Sequence, residues 1–288
     1  GTADIVREYE SKYPDLFRCV YQTENQWGKK DVCRDILYPM IKGQYVALCE
    51  GDDYWTDPLK LQKQVDFLDA HPECSICFHP VTVKYEDKSQ PDSIFPSEKM
   101  LQGKTILEFD DLLKCNFIQT NSVMYRWRFH ENPLDLIPDG ILPGDWFLHL
   151  LHAQVGKIGF LPDIMSVYRR HASGIWTGAW QTPEWFCRCG QSVLKFEEAM
   201  SESFGVDTLF KKMFLQYATY YAAVFLKNMQ LQNVFTSITP PANSVNYNKV
   251  KIMILKIMHH ITWGKFSKKC KAEYKSLTLY NNWISKKD

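Results

Sequence analysis

The chain has 288 residues, of which 45% are apolar, 14% aromatic and 23% charged. This composition is typical of a packed globular protein and excludes a disordered or fibrous chain. Thirty-four basic and 33 acidic residues leave a net charge of +1, so the overall charge gives no support for a nucleic-acid partner. The nine scattered cysteines are typical of apolar filler in a reducing compartment, and we expect a cytoplasmic protein.

Helices alternate with short strands in the first half of the chain. In chain order, the hydrophobic spacing predicts a helix over residues 1–13, a strand over 17–21, a helix over 32–41, a strand over 45–49, a helix over 58–71, a strand over 75–85 and a short helix over 108–114. Strands that alternate with helices in this way predict a parallel sheet.

The second half changes character near residue 180. Before that point the pattern predicts a strand over 121–125, turns over 138–144, a helix over 146–155, and two strands over 158–161 and 164–168 that would form a closing hairpin or ladder. Beyond it, long helical patterns cover residues 193–200, 209–226 and a last amphipathic stretch from 250. We therefore divide the chain into an α/β domain, residues 1–180, and a helical C-terminal region, residues 181–288.

The C-terminal tail differs in charge from the rest of the chain. Residues 249–288 contain ten lysines and two acidic residues, so their net charge is +8, whereas the preceding 248 residues carry −7. Two interpretations stay open. Residues 249–271 contact an anionic membrane surface peripherally, or the last helix packs on the α/β domain and leaves a solvated lysine-rich edge. The longest uncharged apolar run, residues 213–226, is shorter than the roughly 20 residues that cross a bilayer.

Acidic residues follow the predicted strand over 45–49: Glu50, Asp52 and Asp53. Ligands of parallel sheets bind beyond the carboxyl ends of the strands, so we expect the chemistry here. Carboxylate oxygens suit Mg²⁺ or Mn²⁺, although an isolated Asp pair is also common in solvated turns. Capping of the next helix does not explain this pair, because Thr56 or Asp57 can supply that cap.

Several ordered motifs resemble those of the family 2 glycosyltransferases of the GT-A fold. They are a Gly-Thr at residues 1–2, an Asn and a Gly within 22–28, a Gly-x-Tyr-hydrophobic strand with its Asp pair at 43–55, a Gly-Asp-Trp at 144–146 and a Tyr-Arg-Arg-His at 168–171. The resemblance covers residues 1–176. It implies a Rossmann-like, mostly parallel sheet flanked by helices, followed here by a C-terminal helical appendage. Family members begin with a strand-helix-strand unit that has no counterpart here, so we expect a chain truncated at its N-terminus relative to the family.

The resemblance also implies roles on the donor side of a transfer site. Asp53 would be the direct ligand of Mn²⁺ or Mg²⁺, and Asp52 would contact the ribose or a metal-bound water. Arg34, Arg169 and His171 would lie near the nucleotide or its diphosphate. For these three basic residues, a plain solvated position on a helix or at a strand end is the alternative.

On the acceptor side, the resemblance implies that Asp145 takes the proton of the attacking hydroxyl. Asp145 also precedes a predicted helix, where an N-cap is the simpler role, and the two roles are compatible. We further expect Trp55, Asn121 and Trp176 to bind substrate, since indole rings stack on the apolar faces of sugars. For Trp146, which lies on a helix with an apolar stripe, core packing is the better interpretation.

These residues predict a metal-dependent, inverting glycosyltransferase. It would move a sugar from a nucleotide-diphosphate-sugar donor to a hydroxyl of a glycan or lipid-linked acceptor, in the synthesis of a cell-surface polysaccharide or glycolipid. The alternative is a catalytically silent fragment that binds a glycan or a partner protein, because the strand-helix-strand unit that would complete the donor pocket is absent.

Overall fold

The computed structural model describes residues 1–26, 31–130, 136–172, 174–176 and 183–205. The predicted helix over 209–226, the basic tail and Trp180 lie outside these residues, as do Trp27 and Gly28 of the second motif. Within the described ranges, no helix combines the length and the apolar character that crossing a bilayer requires.

The helices of the described residues include two short irregular turns. The α-helices are α1 (Thr2–Lys12), α2 (Lys60–Ala70), α3 (Glu98–Leu101), α4 (Phe109–Lys114), α5 (Gly144–Ala153) and α6 (Pro183–Phe204). The helix predicted over 32–41 is a π-helical turn, Cys33–Leu37, followed by a 3-10 turn, Tyr38–Met40. Pro39 lies in that second turn and provides no N–H for a continuous α-helix.

The strands are short and form two sheets. They are β1 (Tyr45–Ala47), β2 (Tyr54–Trp55), β3 (Cys74–Phe78), β4 (Val81–Tyr85), β5 (Ser93–Phe95), β6 (Ile106–Leu107), β7 (Met124–Arg126), β8 (Lys157–Phe160) and β9 (Ser166–Arg170). The first sheet has the order β1-β7-β3-β8-β6, and the second has the order β2-β9-β4-β5. A 3-10 turn, Thr120–Ser122, precedes β7.

The sheets are mixed, whereas the sequence predicted a mostly parallel sheet. Only β3 with β8 and β4 with β9 are parallel among the described pairings, and the other neighbours are antiparallel. The strand predicted over 75–85 is in fact two strands, because Pro80 breaks it and the chain passes from the first sheet to the second there. The predicted hairpin of β8 and β9 is wrong for a similar reason. Pro162 lies between them, and each strand pairs with a different sheet.

The core lies between the first sheet and helices on its two faces. Every residue of β3 is buried, since α2 and α5 both pack against it. A Cβ at Gly159 of β8 would lie 2.0 Å from the ring of Phe67, so only glycine allows α2 to approach this closely. On α5, Phe147 is fully buried against Phe196 of α6, as its apolar stripe predicted.

Some local predictions fail where tertiary contacts are absent. Residues 17–21 form no strand, and α1, which precedes them, buries none of its residues. The helix predicted over 146–155 ends earlier, because α5 stops at Ala153 and Val155 beyond it is 57% exposed. β5 and β6 were missed, since each is too short to show an alternating pattern.

The pairing of β2 with β9 positions the predicted site. Tyr54 lies opposite Val167 and Trp55 opposite Ser166 in this antiparallel pair. The Asp pair that precedes β2 is therefore brought to the end of β9, where the motif at residues 168–171 lies. Two segments that are far apart in sequence meet at one edge of the second sheet.

Candidate active site

Asp52 and Asp53 contact Arg169 and His171 of the distant motif at residues 168–171. The Nε2 of His171 lies 2.9 Å from Asp52 Oδ2, and the Arg169 guanidinium donates to the backbone oxygen of Asp52 at 3.1 Å. Arg169 also donates through Nε to Glu86 Oε1 at 2.9 Å, so its charge is shared between two chain segments. The structure thus brings together four of the residues predicted for the donor side: Asp52, Asp53, Arg169 and His171.

Asp53 is held by two hydrogen bonds at the base of this cluster. Its Oδ1 accepts the backbone N–H of Arg169 at 2.8 Å, and its Oδ2 accepts Nδ2 of Asn121 at 3.0 Å. Partial burial raises the pKa of Asp53 to about 6, against the lowering effect of the Arg169 backbone hydrogen bond, and the neighbouring charge of Asp52 raises it further. Since each carboxylate oxygen has two lone pairs, both oxygens can still accept a second partner.

Asp145 lies in the first turn of α5, on the other side of the site. Its Oδ1 accepts the backbone N–H of Trp146 at 2.8 Å, and its Oδ2 accepts the hydroxyl of Thr120 at 3.0 Å. Burial raises the pKa of Asp145, although both hydrogen bonds oppose that effect. A carboxylate that is held in this way is a stronger base than an ordinary Asp.

Glu50 belongs to the same cluster, and the sequence placed it with Asp52 and Asp53 among the acidic residues that suit a divalent cation. Crowding by protein atoms raises the pKa of Glu50 to about 7, the charges of Asp145 and Asp53 add to this increase, and a hydrogen bond with Thr120 opposes it. Glu50 therefore lies close enough to both Asp53 and Asp145 for their charges to raise its pKa. The available signal was its position, because it is the first acidic residue after β1.

The cluster has more negative charge than its own cations balance. Burial raises the pKa values of Glu50, Asp53 and Asp145, and the charges of neighbouring carboxylates add to this increase for Glu50 and Asp53. Across the described ranges, no group of three or more His, Cys, Asp or Glu side chains has the spacing to hold a metal ion. Mg²⁺ is commonly bound by one or two carboxylates together with substrate phosphates, so Asp52 and Asp53 fit a cation that arrives with a phosphorylated ligand.

Arg34 forms ion pairs with residues outside this carboxylate cluster. Its guanidinium lies 2.7 Å from Asp35 and 3.3 Å from Asp139, on the π-helical turn before β1. The structure therefore does not place Arg34 in contact with Asp52 or Asp53, and its nucleotide role stays a prediction.

The residues predicted to bind substrate lie in different environments. Asn121 is fully buried, and both polar atoms of its amide bind protein groups, so it has no surface to offer a sugar. Its geometry supports a positioning role instead. Trp55 is half-buried, and its Nε1 donates to the Asn121 carbonyl at 3.0 Å. Trp176 is also half-buried and follows His171 by five residues in the sequence. Trp146 is 5% exposed, which confirms that it packs in the core.

A mixed α/β fold with an Asp pair at a strand end, facing an Arg and a His from a later strand, is a GT-A-like architecture. The family model for glycosyl transferase family 2 matches residues 1–174. The chain therefore belongs to glycosyl transferase family 2, as the motifs predicted.

Uncharacterised mycobacterial proteins are similar to this chain. One from Mycobacterium bovis and two from strains of Mycobacterium tuberculosis are each 51% identical to it over 180 residues. The matched region is 62% of this chain and 49% of each relative, so the chain spans about half the length of the curated relatives it matches.

Proposed function

We propose that the protein is a metal-dependent, inverting glycosyltransferase that uses a nucleotide-diphosphate-sugar donor. The sugar would pass to a hydroxyl of a glycan or of a lipid-linked acceptor. This transfer would be a step in the synthesis of a cell-surface polysaccharide or glycolipid. The observation that carries this proposal is the contact of Asp52 and Asp53 with the segment of Arg169 and His171. The carboxylates of Glu50 and Asp145 lie beside this contact. Family membership supports the transfer of a glycosyl group in general.

On the donor side, Asp52 and Asp53 would hold Mn²⁺ or Mg²⁺. When bound, that cation would stabilise the negative charge that develops on the departing diphosphate. Asn121 and the backbone N–H of Arg169 hold the Asp53 carboxylate in a single orientation before the donor arrives. The Arg169 guanidinium and the His171 ring lie beside the Asp pair, where they would bind the diphosphate.

On the acceptor side, Asp145 would remove the proton of the attacking hydroxyl. The hydroxyl oxygen forms a bond to the anomeric carbon on the face opposite the leaving group, the bond to the diphosphate oxygen breaks, and the configuration inverts. The proton passes to the Asp145 carboxylate, whose raised pKa favours that transfer. Thr120 and the Trp146 N–H each hold one carboxylate oxygen of Asp145, and each oxygen keeps a second lone pair that can accept the hydroxyl proton.

The second candidate is a module that binds a glycan or partner protein without transferring sugar. The observation that favours it is the exposed apolar surface of the N-terminal segment, where Ile5 is 59% and Leu16 is 80% exposed.

Contact of the basic tail, residues 249–271, with a membrane surface would suit a lipid-linked acceptor. This tail lies outside the described residues, and we retain the contact as a proposal.

The proposal predicts that nucleotide release depends on the metal and on Asp53. The purified chain is incubated with UDP-glucose, UDP-N-acetylglucosamine, UDP-galactose and GDP-mannose in MnCl₂ or EDTA, and the released nucleoside diphosphate is measured. We expect release with one donor in Mn²⁺ alone, and a loss of about 100-fold or more in Asp53→Asn, because one preorganised electrostatic group is removed. Asp66→Asn is the matched control, since Asp66 is an exposed acid on α2 that bonds only Gln62 in the described residues.

A second measurement separates the two candidates. UDP or GDP with Mn²⁺ should raise the melting temperature of the wild type and not that of Asp53→Asn. If no donor releases nucleotide and no nucleotide with Mn²⁺ shifts the melting temperature, the transferase is rejected and the binding module is favoured.

A further inference from the structure

The turn Thr120–Ser122 presents three consecutive buried polar residues beneath the site. The Thr120 hydroxyl donates to Asp145 Oδ2 at 3.0 Å, and the Asn121 amide donates to Asp53 Oδ2 at 3.0 Å. The Ser122 hydroxyl instead donates to the carbonyl of Gln119, just before the turn, at 2.7 Å. Two adjacent residues therefore hold the acceptor-side and donor-side carboxylates, which come from distant parts of the chain.

The Asn121 side chain also joins the turn to β9. Its Nδ2 donates to the carbonyl of Val167 at 2.9 Å, and its Oδ1 accepts the hydroxyl of Ser166 at 3.1 Å. Asn121 is 0% exposed, so its amide has no alternative partner in water. These bonds prevent the amide from rotating away from Asp53.

The backbone of the turn is held from below by α2 and β2. Gln64 Nε2 donates to the carbonyl of Ser122 at 2.9 Å, and Trp55 Nε1 donates to the carbonyl of Asn121 at 3.0 Å. Lys60, 1% exposed, places its ammonium 4.3 Å from the centre of the Trp55 ring and donates to Gln64 at 2.7 Å. A buried cation over an indole ring fixes that ring more strongly than apolar packing alone. Hydrogen bonds from β9, α2 and β2 thus hold the turn in place.

We propose that the turn Thr120–Ser122 sets the spacing between the donor-side and acceptor-side carboxylates, with Thr120 and Asn121 as positioning residues. This inference rests on the proposed function, because the spacing matters only if both carboxylates serve one transfer. An error of about 1 Å in the placement of reacting groups costs on the order of 100-fold in rate. Two residues that are adjacent on a rigid turn keep the two carboxylates at a constant separation.

Variants of the turn should separate the two sides of the site. Thr120→Val removes the hydroxyl but keeps the shape, and we expect kcat to fall at least about tenfold with the donor KM unchanged. Thr120→Ser restores the hydroxyl and should recover most of that loss. Ser122→Ala is the matched control, because it removes a buried hydroxyl of the same turn that reaches neither carboxylate.

Asn121→Asp should affect the other side. An ionised Asp at this position keeps the size of the residue but cannot donate to Asp53, and it adds a negative charge. We expect the Mn²⁺ concentration that gives half of the melting-temperature shift with UDP or GDP to change at least about tenfold, whereas Thr120→Val leaves it unchanged. If Asn121→Asp fails to fold, Ser166→Ala, which frees the Asn121 amide on one side, is measured in its place.

A readout that needs no turnover completes the experiment. The ¹³C signal of the Asp145 carboxyl is titrated by NMR, and its pKa should rise in Thr120→Val but not in Thr120→Ser or Ser122→Ala, because only the first loses the hydrogen bond. If Ser122→Ala lowers kcat as much as Thr120→Val, or if Thr120→Val changes neither kcat nor the pKa of Asp145, the positioning role is overturned. If the pKa responds while no variant and no wild type releases nucleotide, the positioning of Asp145 stands and the proposed function fails.

Discussion

Helix α5 joins two regions in which burial shifts the pKa of titratable groups. At its N-terminus, Asp145 belongs to the carboxylate cluster at the open edge of the second sheet. Further along, His149 and His152 lie fully buried against the ring of Tyr125, and burial lowers the pKa of each histidine to about 3. The carboxylates have raised pKa values and an exposed neighbour in Asp52, whereas the histidines are sealed from solvent.

The difference teaches that a shifted pKa indicates function only where a ligand can reach the group. The Nε2 atoms of His149 and His152 are buried and find no hydrogen-bond partner in the described part of the chain. Aromatic rings occupy the space around them, with Trp127 at 5.4 Å and Phe129 at 5.1 Å from the ring centre of His152. We therefore interpret the histidine region as structural and the carboxylate region as functional.

The largest expected effect tests the carboxylate region. Asp145→Asn removes the proposed base but keeps a carbonyl that can accept the Thr120 hydroxyl, so transfer should fall at least about 100-fold while the protein stays folded. Steady-state nucleotide release and a thermal melt measure the two quantities. Asp110→Asn is the control, because Asp110 is an exposed acid in the first turn of α4, as Asp145 is in the first turn of α5. Retention of more than a tenth of the activity in Asp145→Asn would assign the base role to Glu50 instead.

A smaller effect, on stability alone, is expected from the histidine region. The Tyr125 hydroxyl and Nδ1 of His149 share a hydrogen bond of 2.6 Å, and both residues are 0% exposed. Tyr125→Phe leaves that nitrogen without its partner, which should lower the free energy of unfolding by about 1–3 kcal/mol. Urea unfolding measures this change. Tyr85→Phe, at a half-buried position where the hydroxyl accepts from Arg170, should cost less, and an equal cost would contradict the comparison.

The two regions should also show opposite pH dependences of stability. For His152, the folded pKa of about 3 is below the ordinary histidine pKa of 6.5, so its contribution to stability is complete above about pH 6.5 and is lost as the pH falls. For Asp53, the folded pKa of about 6 is above the ordinary aspartate pKa of 3.8, so stability from this group falls as the pH rises from about 4 to 6.

Thermal melts of two variants between pH 4 and pH 7.5 check these signs. His152→Phe keeps the stacked ring and should weaken the loss of stability in acid, with little change near pH 7.5. Asp53→Asn without metal should gain stability relative to the wild type near pH 7.5 and much less near pH 4. The same sign of change in both variants would show that the two regions do not differ in this way.

Most of the site could be predicted because its residues lie in short local motifs. The Asp pair after β1 and the Arg and His at the end of β9 follow from their order along the chain, and the structure brings them into contact. The hydrogen bonds of Asn121 and the raised pKa of Glu50 could not be predicted, because they depend on Asp53 and Asp145 across the fold. A sequence pattern shows that Asn121 begins a strand region but not that its amide is buried under a carboxylate.

The sequence by itself determined the helices α1, α2, α4 and α5, the family and the acidic residues after β1, because periodicity and motif order are local properties. Tertiary structure alone decided which strands pair and with what direction, since Pro80 and Pro162 move the chain between sheets without any local signal of the destination. It also decided that the turn Thr120–Ser122 reaches both carboxylates. Hydrogen bonds between distant segments form only after packing has brought their donors and acceptors together, so they are a property of the folded chain.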